Sequence, residues 1–78
     1  MTTWQISTVV TCAVTAHNRY CFIQSLISRG FSVKLHLATD LARHATYTYE
    51  VSHTDSRALT MFLLVFDARD LEMKIIEL

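Results

Sequence analysis

One antiparallel sheet of four strands backed by two helices, in the order β-α-β-β-α-β, is the architecture this sequence predicts, and three observations carry the prediction. Apolar residues return at helical spacing in two stretches, Phe22, Ile23, Leu26 and Ile27, then Leu59, Phe62, Leu63 and Phe66. Runs with a two-residue period lie before, between and after them. The one glycine of the chain, Gly30, stands where the first helical stripe stops and the second alternating run begins.

The first strand is expected over residues 4–14, where β-branched residues crowd together and Trp4, Ile6, Val10, Cys12 and Val14 share one parity. Thr15-Ala16-His17-Asn18 reads as the following loop, with Asn18 as the N-cap of a helix over 18–29. Gly30 then supplies a left-handed C-cap. Strict alternation over 31–38 points Phe31, Val33, Leu35 and Leu37 inward and Ser32, Lys34 and His36 outward. Thr39 to Arg43 forms a hairpin-sized connection, and 44–52 pairs back as an antiparallel strand. Cap oxygens at Thr54, Asp55 and Ser56 open a second helix over 55–67, which Asp67-Ala68-Arg69-Asp70 ends. Leu71, Met73 and Ile75 resume the two-residue period in a last strand over 71–77.

This order is the ferredoxin-like split arrangement, with both helices on one sheet face. Phe22, Leu26, Phe62 and Phe66 are expected between helices and sheet. Val9, Thr11, Thr46 and Thr48 fall to the helix-free face, making it semi-apolar and a candidate for cover by a second copy. A homodimer is therefore expected.

Seventy-eight residues make a single domain, 1–78, near the lower size limit for one unstapled core. A chain 51% hydrophobic and 18% charged is too apolar for disorder, and a protein partner is expected to cover part of its surface. Seven basic residues balance seven acidic ones, so no net field draws nucleic acid or an anionic membrane. The longest apolar run, Met61 to Phe66, falls far short of the roughly 20 residues a membrane helix needs, so it reads as a buried helix segment. Two cysteines and an N-terminus without a charged and apolar leader make a reducing cytoplasm the expected compartment.

Candidate chemistry is sparse. His17, His36, His44 and His53 show no histidine-to-histidine spacing of three or four, so they read as surface residues and no metal is expected. Cys12 and Cys21 lack a CxxC spacing and read as small buried hydrophobes. Asp67, Asp70 and Glu72 belong to a turn where acidic residues are common, and a chain with one glycine holds no phosphate-binding loop. No catalytic residue and no cofactor follow from the sequence. Tyr47 and Tyr49 share parity on a middle strand, the placement of base-stacking aromatics in RNA-recognition domains, so an RNA platform is an alternative.

Ser28-Arg29-Gly30-Phe31-Ser32-Val33, a helix end in Arg-Gly-aromatic-x-Val leading into an alternating strand, resembles an ACT domain, and specifically the small regulatory subunit of acetohydroxyacid (acetolactate) synthase. The stretch from Ser56-Arg57 through Phe62-Leu63 to Asp70-Leu71-Glu72-Met73-Lys74-Ile75 is similar to that family's second helix, turn and last strand. The resemblance implies a non-catalytic ferredoxin-like homodimer that binds a thiamine-diphosphate catalytic subunit in branched-chain amino-acid biosynthesis and raises its activity. It places an effector site at Thr15, His17, Asn18 and Ser32. The family's valine-binding Asn, Gly and Leu fall by spacing on Val14, His17 and Arg19, and its Asn after the helix-ending Gly falls on Ser32, so valine sensing is not expected. A small freestanding inhibitor, of the kind phages and mobile elements carry, is the competing class.

Overall fold

The computed structural model describes residues 1–41, 44–67 and 71–78, with only the backbone of Leu41. Its elements are β1 (Thr2–Val10), α1 (Ala13–Ser28), β2 (Ser32–Leu41), β3 (His44–His53), α2 (Ala58–Val65) and β4 (Glu72–Glu77). The sheet order is β2-β3-β1-β4, and every neighbouring pair is antiparallel. This is the ferredoxin-like arrangement the sequence predicts.

The start of α1 corrects the expected boundary. β1 ends at Val10 and the helix begins at Ala13, so Cys12, not Asn18, is the N-cap, and Val14 is helical. The cause is Thr15, whose hydroxyl accepts the N–H groups of Thr11 and Cys12 at 2.9 and 3.0 Å and donates to the Cys12 carbonyl at 3.0 Å. That back-bonding satisfies donors exposed at the helix start and overrides the β-propensity of Thr11 and Val14. Cys12 is therefore exposed instead of buried, and Cys21 is half-buried.

The other end of α1 follows expectation. Gly30 has φ of 88°, and its N–H reaches the Ile27 carbonyl while the Phe31 N–H reaches that of Leu26, both at 3.1 Å. This is a Schellman turn, and Leu26 and Phe31, its flanking apolar pair, both lie in the core.

The first residues of β2 alternate as expected, but a bulge between Leu35 and Leu37 changes the phase. Leu37 pairs with Thr48 on the helix-free face, so it does not point inward with Phe31 and Val33. The strand also runs on through Thr39 and Asp40 where a loop was expected. Leu35 and Leu37 are 53% and 56% exposed on this outer strand.

α2 is shorter than the stripe implied, 58–65 in place of 55–67. The Asp55 carboxylate and carbonyl hold a turn ahead of it by accepting the N–H groups of Arg57 and Ala58 at 2.9 and 3.1 Å. Phe66 already has extended backbone, which ends the helix. Of the expected acidic turn, Asp70 lies outside the described residues.

The core sits between the helices and one sheet face. Ile6, Phe22, Leu26 and Val51 are fully buried, with Trp4, Phe31, Tyr49, Leu59, Phe62 and Leu71 around them. Phe66 is half-buried, edge-on to Phe22 at 5.4 Å and stacked on Phe62 at 5.2 Å, so the expected four-residue cluster forms.

The opposite face is more polar than the sequence suggested. β1 and β3 present Thr3, Gln5, Ser7 and Val9 against Ser52, Glu50, Thr48 and Thr46. Thr3 bonds Ser52 and Ser7 bonds Thr48, each at 3.1 Å, so hydroxyl pairs lace the centre of the face. Thr11 lies beyond the strand and takes no part.

Candidate functional site

Large apolar side chains stand in water on α1 at Val14, Tyr20 and Ile27 and on β2 at Leu35 and Leu37, and they are densest along the eight residues of α2. Its sequence, Ala-Leu-Thr-Met-Phe-Leu-Leu-Val, holds no charged residue. Leu59 and Phe62, three apart, turn into the core and use up the one inward stripe that eight residues provide. Ala58 packs beside them, and the larger aliphatic side chains of the helix face outward. Met61, Leu64 and Val65 are 59%, 81% and 64% exposed, and Leu63 is at the edge of the patch. Burying one such side chain is worth about 1.5–3 kcal/mol, so this face has a large unspent driving force for contact.

Beside α2 the chain forms a cleft of about 300 Å³, bounded by the Schellman turn of α1 and the end of β3. Phe31 and Phe62 line its floor, and Met61 and Val65 link it to the exposed helix face. Arg29 stands over the Phe62 ring at 5.7 Å, a cation on an aromatic floor. The His53 ring leans on Phe31 at 4.7 Å, and its Nδ1 accepts the Asp55 N–H at 2.9 Å. Asp55 is held below its ordinary 3.8, first by the Arg57 N–H and then by the Arg57 guanidinium 3.6 Å away. The arrangement can hold an apolar segment and place a polar group beside Arg29 and His53. Sequence reasoning treated Met61 to Phe66 as buried helix because all six are apolar. The signal against that reading was the absence of any polar stripe in a helix too short to be covered on all sides.

The residues assigned to an effector site do not meet within one chain. Thr15 is spent on the α1 cap. His17 and Asn18 belong to the body of α1 rather than to a loop. Ser32 pairs with Ser52 on the helix-free sheet face, beyond the other end of a helix about 24 Å long. Cys12 has its thiol shifted down by hydrogen bonds with the Thr15 backbone and then its side chain.

Tyr47 and Tyr49 lie on the helix-covered face, opposite Thr8 and Ile6, which removes the aromatic platform an RNA reading needs. Tyr49 is 5% exposed, and its hydroxyl accepts a 2.6 Å bond from Arg19, whose guanidinium also covers the Tyr47 ring at 4.6 Å.

No family model and no curated protein matches the sequence. Solved structures share the fold. A de novo designed protein, Foldit4, superposes with a TM-score of 0.69 at 10% identity, over 99% of this chain and 94% of that one. An ACT domain protein from Streptococcus pneumoniae superposes with a TM-score of 0.66 at 17% identity, over 97% of this chain and 89% of that one. At such identities the likeness is one of fold, and a designed protein among these neighbours shows how little function the fold alone carries. Among the described residues no helix is long and apolar enough to cross a membrane.

Proposed function

We propose that this chain is a non-catalytic regulatory subunit that docks on a larger catalytic protein through the exposed face of α2. The observation that carries the proposal is the uncharged helix with Met61, Leu64 and Val65 in water beside an open cleft. Likeness in fold to an ACT domain protein over nearly the whole chain supports the regulatory class. The helix end at Arg29-Gly30-Phe31 supports the finer reading, a subunit of the acetolactate synthase type that activates or stabilises a thiamine-diphosphate enzyme without sensing valine. Self-association then belongs to the outer strand β2, where Leu35 and Leu37 stand exposed on opposite sides of the sheet. Two free thiols, Cys12 and Cys21, suit a reducing cytoplasm.

The test is to titrate the chain into the acetolactate synthase catalytic subunit encoded in the same genome and follow turnover and co-sedimentation. Saturable activation together with a heavier complex is expected. If the enzyme neither binds nor responds, the acetolactate synthase reading is wrong, and the freestanding inhibitor takes its place.

A further inference from the structure

His17 and Cys21 are four residues apart, and α1 carries them onto one flank of the helix, a turn apart. The Cys21 sulfur lies 3.5 Å from His17 Nε2. A zinc ion holds a thiolate at about 2.3 Å and an imidazole nitrogen at about 2.0–2.1 Å, so tetrahedral geometry sets the two ligand atoms roughly 3.5–3.6 Å apart. The pair therefore already has the spacing of one edge of a zinc coordination tetrahedron. We propose that Cys21 and His17 form a two-ligand site for a thiophilic divalent cation, of which Zn²⁺ is the type, on the exposed flank of α1.

Three features of the surroundings favour a cation there. α1 is fixed at both ends, by the Thr15 cap and the Schellman turn, so little ordering of the ligand backbone is left for binding to cost. Its one charged side chain, Arg19, is committed to Tyr47 and Tyr49 and not to this flank. His17 is exposed and Cys21 half-buried, which leaves an open path for the ion and room for water at the other two coordination positions. On binding, the Cys21 thiol gives its proton to solvent and the sulfur–metal bond replaces the thiol–imidazole hydrogen bond. The metal then joins two successive turns of α1. The site is a clip on a folded helix and not a condition of folding. Reading histidine-to-histidine spacings alone passes over it, because the partner four residues on is a cysteine.

Cobalt(II) titration of the full chain tests the site, in a Cys12→Ser background so that Cys21 is the single thiol. Serine puts a hydroxyl in place of the thiol at the N-cap and leaves the Thr15 cap in place. A near-ultraviolet thiolate-to-cobalt charge-transfer band is expected, with visible bands of tetrahedral intensity saturating at one ion per chain. Zn²⁺ should bleach them and raise the melting temperature. Cys21→Ser should abolish the charge-transfer band, and His17→Ala should weaken binding by at least about ten-fold, since even a residue that only orients a ligand is worth that much. Circular dichroism of both variants without metal establishes that α1 is intact. The proposal is overturned if the folded Cys12→Ser chain shows no thiolate band. It is equally overturned if His17→Ala binds cobalt as tightly as its parent.

Discussion

The two helices lie on the same sheet face and solve opposite problems. α1 has 16 residues, a hydroxyl-capped start, a Schellman end and a mixed exterior in which His17, Gln24 and Ser28 stand among Val14, Tyr20 and Ile27. α2 has eight residues, no charged side chain and an exterior of Met61, Leu64 and Val65. Sixteen residues with both ends satisfied can sustain much of a helix locally, whereas eight cannot and depend on Leu59 and Phe62 being anchored in the core. α1 is satisfied at both ends, whereas α2 is anchored through Leu59 and Phe62 with Ala58 beside them and leaves Met61, Leu64 and Val65 in water.

The largest effect expected is at that attachment. Phe62→Ala removes a 2%-exposed ring that touches Phe22, Phe31 and Phe66, and urea unfolding should show a loss of about 3–5 kcal/mol. That is a large share of the roughly 5 kcal/mol expected of so small a domain. A loss below about 1 kcal/mol would show that α2 is not anchored through this ring.

The end of α1 gives the next effect. At φ of 88°, Gly30 is in the left-handed region, and an added Cβ would lie 3.8 Å from His53 Nε2, ordinary contact. Gly30→Ala should therefore cost about 1–2 kcal/mol from backbone strain alone, with no steric addition. A neutral substitution would mean that the Schellman turn does not hold in solution.

Leu64→Glu sharpens the contrast from the other side. Because Leu64 is 81% exposed, its replacement should move stability by no more than about 0.5 kcal/mol. The same change in a structural helix face would be costly. A loss comparable to that of Phe62→Ala would mean that Leu64 is packed and the helix phase is different.

The smallest effect expected is at Asp55, which holds the turn before α2. Its folded-state pKa is depressed, so its contribution is present above the ordinary carboxylate value of 3.8 and is lost as pH falls through the lower folded value. Asp55→Asn should lower the melting temperature slightly at pH 7 and have no such effect once the pH is below the folded value. A pH-independent difference would assign the effect to turn geometry instead of charge.

The order of elements was legible because periodicity and Gly30 agree with each other, and Gly30 marks a turn that few other residues could make. The start of α1 was not, since Thr11 and Val14 favour a strand in isolation and the deciding bond, from the Cys12 N–H to the Thr15 hydroxyl, belongs to the folded helix. Nor was the bulge, because alternation from Phe31 to Leu37 continues unbroken in the sequence while the backbone slips one residue between Leu35 and Leu37. The hydroxyl pairs of the helix-free face, Ser7–Thr48 and Thr3–Ser52, were not legible either, because they join residues 41 and 49 positions apart in the chain.

The account rests most heavily on the exposed face of α2 being where the partner docks. The direct measurement is the affinity of the parent chain and of Leu64→Glu for the acetolactate synthase catalytic subunit from the same genome, by co-sedimentation, with urea midpoints measured on the same samples. The account predicts a complex with the parent, loss of about ten-fold or more in affinity for the variant, and equal midpoints. Equal affinity of the two chains, at equal stability, would contradict it.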